Sequence, residues 1–516
     1  MSISKIPATS THRVVQSIAE HSTVQHLASL DTVPWYRRHN LFYLYLNLIP
    51  AVLGCNMTSG YDGSVINGLQ AVSAWNTYFG KPHGAVLGVL SAMFMFGEIA
   101  VLPIVPWIND RFGRKKKYHH WKLDHFNWRH SAICFFAMFL VARFIIGTGV
   151  PISVTGAAEL TAELAHPNHR AILTGLFNNS WYAGSIVAAG VTLGTYHIPS
   201  QWSWRIPSLL QFSPSLLQLT FIWWIPESPR WLVSKDRVGE ALDVLVKYHG
   251  EGDREAALPQ VEFVEIQETI HLEMESSKHR WSELLRTRGN RHRIFVAATV
   301  GLFHAWSGNG LISYYLPKVL ANVGISSSRK QNQINLSISC MALVTSSVAA
   351  FATKHFSRRV MWLTSFGLMA AAYWALTASS ATFAKTGSNG AAQGTVAMIF
   401  IYQAVYSLMQ PLQMIYTTEI FPFVYRAKGI AVEELFNQAG SAFNQFVNPI
   451  GLAAITWKYY LVYCVWVPIE WVVMFFFYPE TKGPTLEELA IVFDGPMIGK
   501  DIEDIPENPP IEITEA

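Results

Sequence analysis

Apolar runs of about 20 residues recur along this chain from Leu41 to Tyr478, and no other feature restricts its folding so severely. A helix of about 20 apolar residues covers the hydrocarbon core of a bilayer, roughly 30 Å thick. Lipid offers no partner for a backbone N–H or C=O, so each run must satisfy its own groups as a helix and pack against others in a bundle. The clearest runs fall at residues 41–60, 84–107, 136–158, 172–196, 206–226, 294–317, 334–354, 360–382, 393–415, 429–455 and 458–478. Charged residues make up only 14% of the 516 and hydrophobic ones 51%, whereas a soluble domain is about 25% charged. The expected fold class is an all-α membrane protein.

Eleven runs leave one crossing short. Arg111, Arg114, Lys115, Lys116 and Lys117 follow the second run, Arg358 and Arg359 the eighth crossing, and Arg426 and Lys428 the tenth. Basic connectors stay in the cytoplasm, and these fall on one side only if a third crossing lies between Lys117 and about Phe136. That gives twelve helices and two cytoplasmic termini. Residues 118–130 (Tyr118-His119-His120-Trp121-Lys122-Leu123-Asp124-His125-Phe126-Asn127-Trp128-Arg129-His130) make the third helix irregular, because each charge near mid-bilayer costs at least about 3 kcal/mol.

The remaining composition excludes other classes. A net charge of +3 without a basic stripe gives no nucleic-acid footprint. Cys55, Cys134, Cys340 and Cys464 stand singly in or beside apolar runs and read as packing residues, with no metal spacing. The cluster His119, His120, His125 and His130 lacks metal-ligand spacing too. No metal, cofactor, nucleophile motif or nucleotide loop is expected, so the chain reads as a non-enzyme. Residues 1–40 are a polar tail without a cleavable signal, 41–226 a first transmembrane bundle, 227–292 a charged, helix-prone cytoplasmic linker, 293–478 a second bundle, and 479–516 a tail ending in an acidic, Pro-rich stretch.

Short motifs sit at the ends of the runs: Asp110-Arg111-Phe112-Gly113-Arg114-Lys115, Arg143-Phe144-Ile145-Ile146-Gly147, Glu163 with Arg170, Pro226-Glu227-Ser228-Pro229-Arg230-Trp231-Leu232, and Pro479-Glu480-Thr481-Lys482-Gly483. In this order and at these places the sequence resembles the sugar porter family of the major facilitator superfamily over nearly its whole length. Gly60-Tyr61-Asp62-Gly63-Ser64, Trp204-Arg205-Ile206-Pro207-Ser208, Trp306-Ser307-Gly308-Asn309-Gly310 and Phe443-Asn444-Gln445-Phe446-Val447-Asn448-Pro449 are similar to its fungal lactose permease and hexose transporter branch. The resemblance implies two six-helix bundles alternating access around a central sugar site.

Asp62 lies at the end of the first run and Arg143 within the fourth crossing, and ionisable residues in a membrane pair or serve function; the resemblance implies that they couple a proton to transport, the alternative being a structural ion pair. A sugar ring needs amides for its hydroxyls and aromatic rings for its apolar faces. Asn178, Asn309, Gln413, Asn437 and Asn444 with Trp181, Trp306, Tyr314 and Tyr315 are the candidates, helix-to-helix packing being the alternative for each. His304 and Ala305 stand where the family pattern has two Gln, Gly310 where it has Asn, and Met414 where many members have Trp. These departures leave open a hexose, a disaccharide such as lactose, or a sugar-like acid. Asp110, Arg111, Arg114, Glu163, Arg170, Glu227, Arg230, Arg358, Glu419, Arg426 and Glu480 fall at helix ends as a candidate cytoplasmic latch. Glu470 reads as a packing residue. The expectation is a proton–sugar symporter, a monomer in the lipid of the plasma membrane; a passive facilitator, a sugar sensor and, most remotely, a membrane enzyme are the alternatives. The abrupt return of family patterning at Met138 predicts a shifted reading frame or exon junction between about Lys117 and Phe136, which sequencing the transcript would reveal.

Overall fold

The computed structural model describes residues 24–112, 136–277, 281–353, 355–482, 489 and 492–494, and among these every regular element is helical. The expected third crossing therefore lies outside the described residues. Among the described residues the α-helices follow in order: α1 Val24–Leu30, α2 His39–Gln70, α3 Ser73–Tyr78, α4 Gly84–Val101, α5 Val105–Phe112, α6 Phe136–Leu164, α7 Pro167–Thr195, α8 Trp202–Leu210, α9 Ser213–Ile222, α10 Pro229–Ser234, α11 Val238–His249, α12 Ala257–Ser277, α13 Arg288–Trp306, α14 Asn309–Ala321, α15 Ser328–Ala352, α16 Arg358–Thr386, α17 Asn389–Ile420, α18 Phe423–Ile455 and α19 Tyr460–Phe477. Helices α2, α4, α6, α15, α16 and α17, and the stretch Tyr425–Phe477, are long and apolar enough to cross a membrane.

Three of the expected spans are broken, the run 84–107 among them, where α4 ends at Val101 and α5 begins at Val105. The run 206–226 divides into α8 and α9, with Pro214 in the first turn of α9, where a missing N–H costs nothing. The run 294–317 breaks between α13 and α14 at Gly308, whose φ of +101° is open to glycine and strained for other residues. A side chain there would also meet the Tyr373 hydroxyl, its Cβ falling 2.1 Å from that oxygen. The first span is longer than expected: α2 continues unbroken from Gly60 to Gln70, so Asp62 stands inside it.

The chain forms two compact units. One comprises Met1–Glu275, Gly310–Val344 and Ala442–Trp457; the other comprises Ser276–Asn309, Thr345–Ser441 and Lys458–Ala516. In the first, glycines bring helices to backbone contact. A Cβ on Gly60 would lie 1.9 Å from the Trp181 carbonyl oxygen and one on Gly184 2.1 Å from that of Met57, so α2 and α7 touch main chain to main chain. Gly97 and Gly147 do the same for α4 and α6. Leu41, Leu44, Leu48, Val52, Leu160 and Phe177 fill one core between α2, α6 and α7. The linker helices pack through Leu245, Ile266 and Ile270. In the second unit α16 lies along α17 and α19, with Trp362, Phe366, Met369 and Tyr373 buried from α16.

Candidate functional site

In the first unit Asp62 is fully buried and Arg143 nearly so. α2 and α6 bring the two residues together: Arg143 Nη1 donates to the Asp62 main-chain carbonyl at 3.0 Å, and its guanidinium lies over the Phe94 ring, 5.0 Å from the centroid. A cation at this depth needs such neighbours to offset its desolvation. Arg143 also lies within electrostatic reach of Glu98, Tyr314 and Tyr315. Tyr314 packs against Phe94, Met95, Ile146 and Val150, and its carbonyl accepts from Gln70 Nε2 at 2.7 Å. The Tyr315 hydroxyl donates to the Gln445 carbonyl, which gives that ring a structural contact. Its backbone departs from helical geometry (φ −132°, ψ 20°) two residues before Pro317.

Trp181 on α7 brings its ring within 3.7 Å of the position a Gly63 Cβ would take, while Asn178 on the same helix has an exposed side chain. Asn444 is buried, with its Nδ2 3.0 Å from where a Gly310 Cβ would stand. The glycine at this departure from the family pattern thus leaves room for the Asn444 and Asn448 amides.

The second unit holds the other candidates. Gln413 Nε2 donates to Glu433 Oε1 at 2.5 Å. Asn437 Oδ1 lies 3.2 Å from His304 Nδ1, and the Tyr406 hydroxyl 3.1 Å from His304 Nε2. Trp306 donates to the Gly440 carbonyl at 3.0 Å and packs on Trp466. Asn309 is half-buried just past the Gly308 break. Tyr373 and Tyr402 hold that break, donating to the carbonyls of Gly308 (2.7 Å) and Ser307 (3.0 Å). Tyr315 and Trp306 thus carry helix-to-helix bonds as well as being site candidates.

Several polar residues escaped the sequence reading. Asn67 donates to Asn335 Oδ1 (3.0 Å) and accepts from the Leu316 N–H (3.1 Å), and Ser185 bonds Ser339 at 2.9 Å. Asn67 was hidden by the short estimate of the first span. Glu433 and Tyr406 gave no signal apart from being polar groups in apolar runs.

At the helix ends, Arg170 pairs with Glu262 at 3.1 Å and Arg358 with Glu419 at 3.1 Å. Glu480 accepts the main-chain N–H groups of Arg358 (2.9 Å) and Arg359 (3.1 Å), so it caps the start of α16. Burial pushes the Glu480 carboxyl up, but these bonds and that from the Lys482 N–H outweigh it and hold it below the usual range. Ser228 is the N-cap of α10, accepting from the Trp231 N–H at 3.2 Å, and its hydroxyl donates to Glu163. The Glu227 carboxylate accepts from the Ser228 N–H, and Arg230 and Arg426 are half-buried. Arg111 is exposed over the Trp107 ring. The Asp110 side chain and all of Arg114 lie outside the described residues.

Long apolar helices, glycine-mediated contacts and ionisable side chains held inside the spans define a multi-pass membrane protein of the transporter class. The sequence profile described as "Sugar (and other) transporter" matches residues 46–493, and the chain belongs to that family. It is 26% identical to the MFS-type transporter criB of Aspergillus cristatus, over 86% of this chain and 93% of that protein. It is likewise 26% identical to the high-affinity glucose transporter of Kluyveromyces lactis, over 83% and 81%. The fold is that of the major facilitator superfamily. The partially occluded inward-open xylose transporter XylE from E. coli superposes with a TM-score of 0.71 at 21% identity, over 86% of this chain and 100% of that one. The XylE proton:xylose symporter bound to 6-bromo-6-deoxy-D-glucose gives 0.69 at 22% identity, over 88% and 100%.

Proposed function

We propose that this chain carries a hexose or a disaccharide across the plasma membrane by alternating access of two six-helix bundles, with a proton bound at Asp62. The observation that carries the reading is the juxtaposition of buried Asp62 and Arg143 inside a member of a sugar transporter family. Protonation of Asp62 removes the charge that faces Arg143 and changes the electrostatic tie between α2 and α6. The amides Asn178, Asn309, Gln413, Asn437 and Asn444 are assigned to the sugar hydroxyls, with Trp181, Trp306, Tyr314 and Tyr315 against its apolar faces. The ion pairs at the helix ends act as the cytoplasmic latch, both termini are cytoplasmic, the protein works as a monomer in lipid, and it catalyses no chemical step.

The test is uptake of labelled mono- and disaccharides in a transport-deficient cell, with external pH recorded. Accumulation that collapses with an uncoupler supports the reading. Asp62→Asn should abolish accumulation while retaining exchange of sugar for sugar. Accumulation that survives the uncoupler refutes proton coupling, and equilibration without accumulation identifies a passive facilitator.

A further inference from the structure

Away from the candidate sugar site, one corner of the linker grips the ends of three long helices in the first unit. The corner follows α11: His249 is its last residue, Gly250 and Gly252 turn back onto the Val246 carbonyl, and Glu251 sits between them at φ +52°. α2 starts without a side-chain cap from its own flank. The Glu251 carboxylate supplies one, accepting the Asn40 and Leu41 N–H groups at 3.1 and 3.0 Å. At the other end of the corner His249 Nε2 lies 3.3 Å from the Leu164 carbonyl, the last residue of α6. Its Nδ1 lies 2.6 Å from Glu262 on α12, whose second oxygen pairs with Arg170 in the first turns of α7. The signs suit the helix dipoles, an anion at the start of α2 and a cation at the end of α6.

The bonding of His249 fixes its protonation. Both ring nitrogens face acceptors, a carboxylate and a carbonyl, and only an imidazolium can donate to both. The ring is 2% exposed and Glu262 4%, so water does not replace either bond. Its neighbour His166, with ring centroids 5.4 Å apart, is arranged oppositely. The Asn168 N–H donates to its Nδ1, so that nitrogen carries a lone pair, and Nε2 faces Asp31 at 3.4 Å. The groups surrounding His249 are Glu262 from α12, Arg170 and His169 from α7, His166 from the α6–α7 turn, Asp31 and Arg38 ahead of α2, and Tyr45 on α2, whose hydroxyl meets His169 Nδ1 at 3.1 Å. Burial pushes His249 down, but the Glu262 charge and hydrogen bond with the Leu164 carbonyl outweigh it, so its affinity for a proton is raised. Burial and the neighbouring His249 drive His166 down to about 4.

We propose that His249 is a proton-binding site that keeps the linker corner clasped to the ends of α2, α6 and α7, and that loss of its proton releases the clasp. Without that proton the ring keeps a single N–H, so one ring nitrogen presents a lone pair to an acceptor, and Glu262 loses the cation facing it, with Arg170, itself 39% exposed, left as its ion-pair partner. The clasp is complete below the ordinary histidine value and is lost as pH rises through the raised one. Resting on the transport reading, which sets the linker in the cytoplasm, this makes the protein responsive to cytosolic pH through a group separate from Asp62.

Hydrogen exchange on the full-length protein in nanodiscs, corrected for intrinsic rates between about pH 6 and about pH 8.5, tests this without any transport assay. Protection of the Asn40 and Leu41 amides and of residues 249–266 should fall as pH rises in the wild type. In His249→Arg, a permanent cation, it should not fall. In Glu262→Gln the loss should come at least about one pH unit earlier; this arm decides the matter if the arginine variant does not fold. Wild-type protection that does not change with pH, or a Glu262→Gln profile superposing on the wild type, overturns the proposal. Uptake into proteoliposomes with pH set separately on each face adds the sidedness: dependence on linker-side pH should vanish in His249→Arg while that on the opposite face remains. Sensitivity to the opposite face alone would refute the cytoplasmic assignment and leave the exchange result standing.

Discussion

Gly147 sits one helical turn after Arg143 on α6, at the point where α6 meets α4 main chain to main chain. An alanine Cβ there would fall 2.0 Å from the Phe94 carbonyl oxygen, and ordinary contact begins at 3.4 Å, so the helices must part by about 1.4 Å. The obstacle is backbone on both sides, since a Gly97 Cβ would lie 2.1 Å from the Phe144 carbonyl, and no rotamer change relieves it. Overpacking of a closed interface costs about 1–3 kcal/mol, and a rigid backbone obstacle puts this case near the upper end. At roughly 1–2 °C per kcal/mol for a unit of roughly 330 residues, Gly147→Ala should lower the melting temperature by about 3–6 °C. It should also impair uptake, because Phe94 is the ring beneath the Arg143 guanidinium. Tryptophan fluorescence during heating in detergent reads the first effect, with Gly175→Ala as control. Nothing lies within 4 Å of a Cβ on Gly175, and helix propensity favours alanine there by up to about 1 kcal/mol. A Gly147→Ala melting temperature equal to the wild type's would refute the close-contact argument.

Tyr373→Phe removes the donor to the Gly308 carbonyl, a buried acceptor at the break between α13 and α14; a loss of about 1–3 kcal/mol is expected, read as a lower melting temperature. His304→Gln replaces the rigid ring that spans the Tyr406 and Asn437 bonds with a flexible amide, so the sugar KM should rise by up to about tenfold with a changed preference between hexoses and disaccharides, measured by competition uptake. His166 is held neutral with its proton affinity lowered to about 4. The unfolded chain therefore takes up that proton first as pH falls below about 6.5, and stability contributed by the neutral ring is lost between there and about 4. His166→Asn should flatten this part of the stability–pH curve in urea or heat denaturation.

Hydropathy alone located the long helices, because a run of about 20 apolar residues has few other ways to exist in lipid. It misjudged where they end. By hydropathy the first run stops at Gly60, yet α2 continues to Gln70, the glycine at 60 serving the approach of Trp181. Conversely, Ser307-Gly308 reads as helix interior and is a break whose reason, the Tyr373 and Tyr402 hydroxyls, lies 65 and 95 residues away. The same holds for the site. Arg143 was visible because charge in an apolar run is conspicuous, and Asp62 because it closes the first run within a segment that resembles the family's. Glu433 on Gln413, Asn67 on Asn335 and Glu251 on the start of α2 were not, since each acquires its role from a partner that spacing along the chain does not indicate.

That last bond orders events during synthesis. The N–H groups of Asn40 and Leu41 wait for a carboxylate 211 and 210 residues further on. The first span leaves the ribosome and enters the membrane long before Glu251 exists, so its leading turn is held by water alone while the rest of the first bundle is translated. The half-made protein stays unfinished at that end until the linker emerges, and a chain released before residue 251 would carry a first helix free to fray at the membrane surface, open to proteases that the completed molecule excludes.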